Sequence, residues 1–184
     1  MRIRTLAPIL ILLFFFPCRA FSQACTTLGQ TPETAFPVCG TSVFTQNNVP
    51  TCGGRPIPGP CNNAGIMDVN PFWYRFTCFT AGTLGFTITP FQNSDDYDWQ
   101  VFDITGRKPQ DVYADASLFV VCNWSGNTGL TGASSAGPGL IQCAGTAFPT
   151  FSSMPTLIAG HEYLLMVSNF SASQKGYQLA FTGG

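Results

Sequence analysis

The chain has 184 residues, eight of them basic and nine acidic, and only 9% of it is charged. That length suits one ordinary domain with a proper core. The charge is mildly acidic and no basic patch exists, which argues against nucleic acid and anionic membrane surfaces as partners.

The first 24 residues, "MRIRTLAPILILLFFFPCRAFSQA", begin with Arg2 and Arg4 and continue with an apolar run from Leu6 to Phe16. Ser22 and Ala24 then fit a small-x-small cleavage site, so residues 1–24 read as a secretory signal peptide. The run is short for a membrane span, and no membrane insertion is expected after cleavage. A lipoprotein anchor at Cys25 is the minor alternative, because "SQAC" lacks the large apolar residue expected three positions earlier. Cleavage removes Arg2, Arg4 and Arg19 and leaves five basic residues against nine acids, a net charge of −4. Thr, Ser, Asn, Gln and Gly must then supply the solvated surface. The expected location is secreted or cell-surface.

Residues 25–70 read as a loop-rich arm. Pro32, Pro37, Pro50, Pro56, Pro58 and Pro60 forbid a long helix there, and one short strand is predicted at "TSVFTQ" (41–46). From residue 71 the texture changes. "FWYRFTCF" (72–79), "TLGFTITP" (83–90), "DYDWQVFDI" (96–104), "SLFVVCNWS" (117–125), "EYLLMVSNF" (162–170) and "GYQLAFTG" (176–183) are short and β-prone, with Gly, Pro, Asn and Ser between them. No stretch has helical periodicity. The prediction is an all-β, mainly antiparallel sandwich over 71–184. "SGNTGLTGASSAGPGL" (125–140) does not read as a strand; it reads as a long surface excursion tied down by Cys143.

Seven cysteines follow the cleavage site: Cys25, Cys39, Cys52, Cys61, Cys78, Cys122 and Cys143. Export makes disulfides the expectation, and the absence of a CxxC pair argues against zinc. Sequence does not determine the connectivity. The Pro/Gly loop "CGGRPIPGPC" favours Cys52 with Cys61, and Cys25 with Cys39 would staple the arm. Cys78, Cys122 and Cys143 then leave one thiol over.

Two passages carry a resemblance. "FWYRFTCFTAGTLGFTITPFQNSDDYDWQVFD" has an aromatic strand, an Ala-Gly turn, a second strand and an Asp-aromatic-Asp start to a third. "LIAGHEYLLMVSNFSASQKGYQLAFTG" has an Ala-Gly turn and two further strands. Together they resemble the bacterial pre-peptidase C-terminal-like domain, in the variant found at the N-terminus of secreted surface proteins with gliding-motility-type sorting signals. The resemblance spans most of residues 68–183. It implies a jelly-roll-like antiparallel β-sandwich of about eight short strands. Members are usually non-catalytic appendages of secreted proteases and adhesins, and some relatives bind collagen and calcium. It also implies that further domains of the same native chain are partners.

Four of the nine acids lie between residues 94 and 103. Residues two apart on a strand point the same way. Tyr97, Trp99 and Val101 share one face, which the resemblance places in the core, and Asp96, Asp98 and Gln100 share the other. Asn93, Asp95, Asp96 and Asp98 can offer several oxygens near one point, a candidate calcium site. It is not an EF-hand loop, which would need Gly at its sixth position and Glu at its twelfth. The competing reading is structural, since Asp and Asn side chains bond nearby backbone N–H groups in turns.

His161, in "AGHEY", reads as a solvated turn residue, because no nucleophile and orienting group accompany it. Trp73, Trp99 and Trp124 are expected in the core, with Trp124 the best exception. A ligand-binding face would lie near Asn123, Trp124 and Asn127. The expected function is a non-catalytic extracellular adhesion or ligand-binding module for a protein or polysaccharide, with calcium as the candidate stabilising ion. The alternative is a structural accessory domain that presents or stabilises a neighbouring enzyme or sorting domain. A binder should expose a patch around Trp124, and a spacer should bury it.

Overall fold

The computed structural model describes residues 24–40, 43–61 and 65–182. All but the last residue of the expected signal peptide lies outside them. The strands are β1 (Phe36–Pro37), β2 (Val43–Asn48), β3 (Gly53–Pro56), β4 (Met67–Val69), β5 (Pro71–Thr77), β6 (Gly82–Thr83), β7 (Gly85–Pro90) and β8 (Tyr97–Asp103). After two short 3-10 turns, Pro109–Tyr113 and Ala116–Leu118, come β9 (Phe119–Ser125), β10 (Thr131–Ser134), β11 (Ile141–Gly145), β12 (Phe151–Ser153), β13 (Thr156–Leu157), β14 (Glu162–Asn169) and β15 (Lys175–Thr182).

These strands form an all-β sandwich. One sheet runs β1-β5-β14-β8-β9-β11 and the other β12-β10-β7-β15-β2. Most ladders are antiparallel; β1–β5, β9–β11 and β10–β12 are parallel. Between the sheets lie Tyr74, Trp99, Val101, Leu165 and Val167 from the first and Phe86, Ile88, Tyr177 and Leu179 from the second. Polar tips inside this core are answered: Trp99 Nε1 donates to Thr131 Oγ1 at 2.9 Å, and the Tyr74 and Tyr177 hydroxyls meet at 2.9 Å.

The outer face of the six-stranded sheet is also apolar. Trp73, Phe102, Leu164 and Met166 project from it and are fully buried. A sheet with two apolar faces needs a second cover. Ile57 and Cys61 from the arm, and Ile104, Val112 and Leu118 from the segment after β8, provide it. The region predicted as an arm is therefore part of the third layer at this face, and it also supplies β1 and β2 to the two sheets.

Three expectations are corrected. The disulfides are Cys25–Cys52 and Cys61–Cys143, not Cys52–Cys61 and Cys25–Cys39. The Pro/Gly loop does not close on itself because β3 pairs with β4, and Ile57 N donates to Ile66 O at 3.0 Å. That pairing carries Cys61 away from Cys52 and towards β11. Cys39, Cys78 and Cys122 remain as thiols among the described residues. Second, the 125–140 excursion contains β10, which pairs with both β7 and β12. Its Gly132 has φ +153°, and a Cβ there would collide with the Phe86 carbonyl oxygen. The residue that permits this pairing is also the one that masks it as a strand. Third, the strands among the described residues exceed the expected eight, since several are two to four residues long. Pieces that short show no alternation. The two disulfides are compatible with an extracellular location. Among the described residues no helix is long and apolar enough to cross a membrane.

Candidate functional site

β8 lies inside the six-stranded sheet between β14 and β9, so both of its edges are paired. The expected split holds. Tyr97, Trp99 and Val101 face the second sheet. Asp98 and Gln100 face the other way and are buried, Asp98 to 7% exposure and Gln100 to 1%. Asp96, just before β8, is also 7% exposed.

Asp96 and Asp98 line a cavity of about 170 Å³ together with Trp124. Its other walls come from distant parts of the chain: Gly65, Ile66, Met67 and Val69 around β4, Gly126 after β9, Ala144 and Gly145 at the end of β11, and Phe170 after β14. Trp124 is held in place because its Nε1 donates to Gln100 Oε1 at 3.2 Å. It is only 3% exposed, whereas Met67 and Phe170 at the rim are 42% and 62% exposed.

Oδ1 of Asp96 and Oδ1 of Asp98 are buried and make no hydrogen bond. Leaving such atoms unanswered is costly. Burial pushes the Asp96 carboxyl up to about 6. Burial raises Asp98 well above the ordinary carboxylate range, and the neighbouring Asp96 adds to it. The ion pairs among the described residues, Arg75–Glu162, Arg107–Asp115 and His161–Asp103, involve neither acid. Asp68 makes the contrast. It is more deeply buried still, but its Oδ1 accepts from Arg55 N at 2.5 Å and its Oδ2 from Tyr113 OH at 2.7 Å.

The other predicted site residues lie apart. Asn93 is exposed in the turn before Asp95. Both carboxylate oxygens of Asp95 are engaged, Oδ1 by Gln92 Nε2 at 3.1 Å and Oδ2 by Ser173 Oγ at 2.6 Å. Asp95 therefore plays the turn-fastening role that its residue type suggests. Asn123 Nδ2 donates to Pro149 O at 3.0 Å and to Ser152 Oγ at 3.2 Å, and Asn127 Nδ2 donates to Phe148 O at 2.7 Å. Both amides hold backbone. Of the four oxygen-bearing residues proposed for calcium, two reach the cavity, and of the three near the proposed ligand face, one does. Calcium takes six to eight oxygens. Among the described residues no group of three or more His, Cys, Asp or Glu is placed to hold a metal.

His161 occupies the predicted turn, but its Nδ1 lies 2.6 Å from Asp103 Oδ2. Burial opposes ionisation of Asp103, yet hydrogen bonds from His161 and Thr105 hold its carboxyl below the usual range. Asp103 is five residues beyond Asp98 on β8, about 16 Å along the strand. The histidine therefore does not meet the cavity acids. Burial pushes the Cys122 thiol up to about 12, which leaves it a poor nucleophile.

Sequence reasoning named Asp96, Asp98 and Trp124 but placed them in two separate sites. It missed Ile66, Met67 and Phe170. Phe170 carried a signal, as a large aromatic in the polar turn "SNFSAS". Nothing local ties residues 65–69 to residue 124. Comparisons with protein-family models, curated proteins and solved structures return no match.

Proposed function

We propose that this protein is a non-catalytic extracellular binding module and that the cavity beside Asp96, Asp98 and Trp124 is its ligand site. The observation that carries this reading is a pair of buried carboxyl groups, each with an oxygen without a partner, that line a cavity together with an indole. Interiors answer their polar groups, and Asp68 and Asp95 in this same chain have partners on both oxygens. Concave sites with apolar walls and a few convergent polar groups are the usual form of a ligand pocket. The ligand is a group that enters a cavity. It is not a surface laid across an exposed aromatic platform, because Trp124 is only 3% exposed.

A second reading has its own support. The burial of Trp124 is what a structural accessory domain predicts, and Asn123 and Asn127 are consumed by internal bonds. The two readings separate in an NMR screen of the isotope-labelled, disulfide-bonded protein against neutral and charged oligosaccharides and short peptides. A ligand of the proposed module shifts amides at 96–98, 124–126 and 144–145, with the Trp124 indole among them. If every probe leaves those resonances in place, the accessory-domain reading stands instead.

A further inference from the structure

We propose that the cavity is a receptor for an alkylammonium group, the end of a lysine side chain or a free amine, with the nitrogen between Asp96 and Asp98 and the carbon chain along Trp124, Ile66 and Met67. This rests on the reading of the cavity as the ligand site and adds the class of ligand.

Three features point to this chemistry. First, the two carboxyl groups line one cavity, each nine-tenths buried or more and each with an unpartnered oxygen. An ammonium brings three N–H donors and a positive charge to two cavity-lining carboxyl groups that take part in no ion pair among the described residues. A neutral sugar hydroxyl would bring a donor and no charge. Second, the walls are hydrocarbon and aromatic. A hydrated divalent cation gains nothing from Ile66 and Met67, whereas a methylene chain buries against them. Third, the size fits. An apolar cavity of about 150 Å³ holds a six-carbon ring, so about 170 Å³ accommodates the five heavy atoms of a lysine side chain beyond its Cα. None of the lining residues is lysine, arginine or histidine, so among the described residues no internal cation occupies the position.

The test titrates the intact, disulfide-bonded protein with n-pentylammonium, n-pentanol, a peptide containing one lysine, the same peptide with that lysine acetylated, and calcium, at pH 7.5. The readouts are NMR shifts and calorimetry. Asp96→Asn and Asp98→Asn are examined singly and together. Both are close in shape to the native residue and place no charge in the cavity wall, so the fold is expected to survive; amide dispersion checks this. The expected result is saturable binding of n-pentylammonium and the lysine peptide at 96–98 and 124–126, with n-pentanol and the acetylated peptide at least tenfold weaker. The double variant should lose at least tenfold in affinity for the amine. Binding of the peptide but not of free n-pentylammonium at equal concentration assigns the source as a polypeptide; the reverse assigns a free amine. Equal binding of n-pentanol, or equal binding by the double variant, overturns the ammonium assignment. So does calcium binding at Asp96 and Asp98 without amine binding. If an oligosaccharide or a lysine-free peptide binds the cavity while the amines do not, the ammonium assignment fails and the cavity remains a ligand site. If no probe reaches it, both readings fail.

Discussion

Asp96 carries its carboxyl beside a cavity in which none of the lining residues is a cation, and burial lifts it from 3.8 to about 6. The raised value sets the sign of a stability effect. The native state holds the proton more tightly than the unfolded chain does. Protonation therefore stabilises fully below the unfolded value near 4, and that contribution is lost as pH rises through about 6. Above that range the ionised, buried carboxylate is a net cost. Asp96→Asn is neutral at every pH, so in amine-free buffer it should be more stable than the native protein at pH 7.5, on the order of 1–3 kcal/mol. At pH 4 the two should coincide. Urea unfolding at both pH values checks this, and an Asn variant that is less stable at pH 7.5 would mean that the charge already has a partner. Asp103 has the opposite sign, because its lowered value contributes stability above pH 4 that acid removes. At this scale the sequence was informative about direction. Alternation along 97–101 is a local, period-two property, so the face carrying Asp98 and Gln100 could be read from five letters. What lies over that face could not, because Ile57, Cys61 and Ile66 approach it from some thirty to forty residues away in the chain.

The elements around the cavity depend on two connections that chain order hides. Cys61–Cys143 links the segment leading into β4 to β11, across 82 residues. These are the segments that supply Ile66 and Met67 on one side and Ala144 and Gly145 on the other. A reading confined to neighbours pairs cysteines across the nearest proline-rich loop, and the ladder between β3 and β4 defeats that reading. Chain-entropy arguments give a bridge of this span about 4–5 kcal/mol. Replacing both cysteines by alanine should lower the unfolding free energy by about that amount and weaken ligand-induced shifts at 144–145. Intact shifts after the double replacement would show that β11 holds its place without the bridge. β10 makes a parallel point about pairing. Its ladder to β7 passes through Gly132, where a side chain meets the Phe86 carbonyl and φ is positive. Gly132→Ala should cost about 2 kcal/mol or more, read as a lower denaturation midpoint with an unchanged slope. A string of Gly, Ser and Thr looks like a loop because no side chain marks the strand; its pairing is visible only in the partners.

Across the whole molecule, the third layer decides whether the N-terminal arm is an attachment or part of the fold. Trp73, Phe102, Leu164 and Met166 are buried against Ile57, Val112 and Leu118, not against the second sheet. Burial of a large apolar side chain contributes about 1.5–3 kcal/mol. The four together are worth roughly 6–12 kcal/mol, comparable with the net stability of a typical domain at 5–15 kcal/mol. The arm provides only part of that cover, but it also supplies the edge strand β2, whose ladder with β15 runs from Val43 to Asn48. Removing it uncovers part of one face of the first sheet and one edge of the second. An uncovered apolar face and an open edge both promote aggregation. Calorimetry of the disulfide-bonded protein should therefore give one unfolding transition, with equal calorimetric and van't Hoff enthalpies. A chain beginning at residue 71 should fail to give dispersed amide resonances and should associate through its exposed sheet. Two separated transitions, or a well-folded monomer from residues 71–184, would mean that the arm is detachable and that the 65–69 wall of the cavity is an addition to a sandwich complete without it. A single transition would mean that the cavity is built into the same cooperative unit as the core, so that a ligand held there stabilises the whole protein by mass action and not one loop alone.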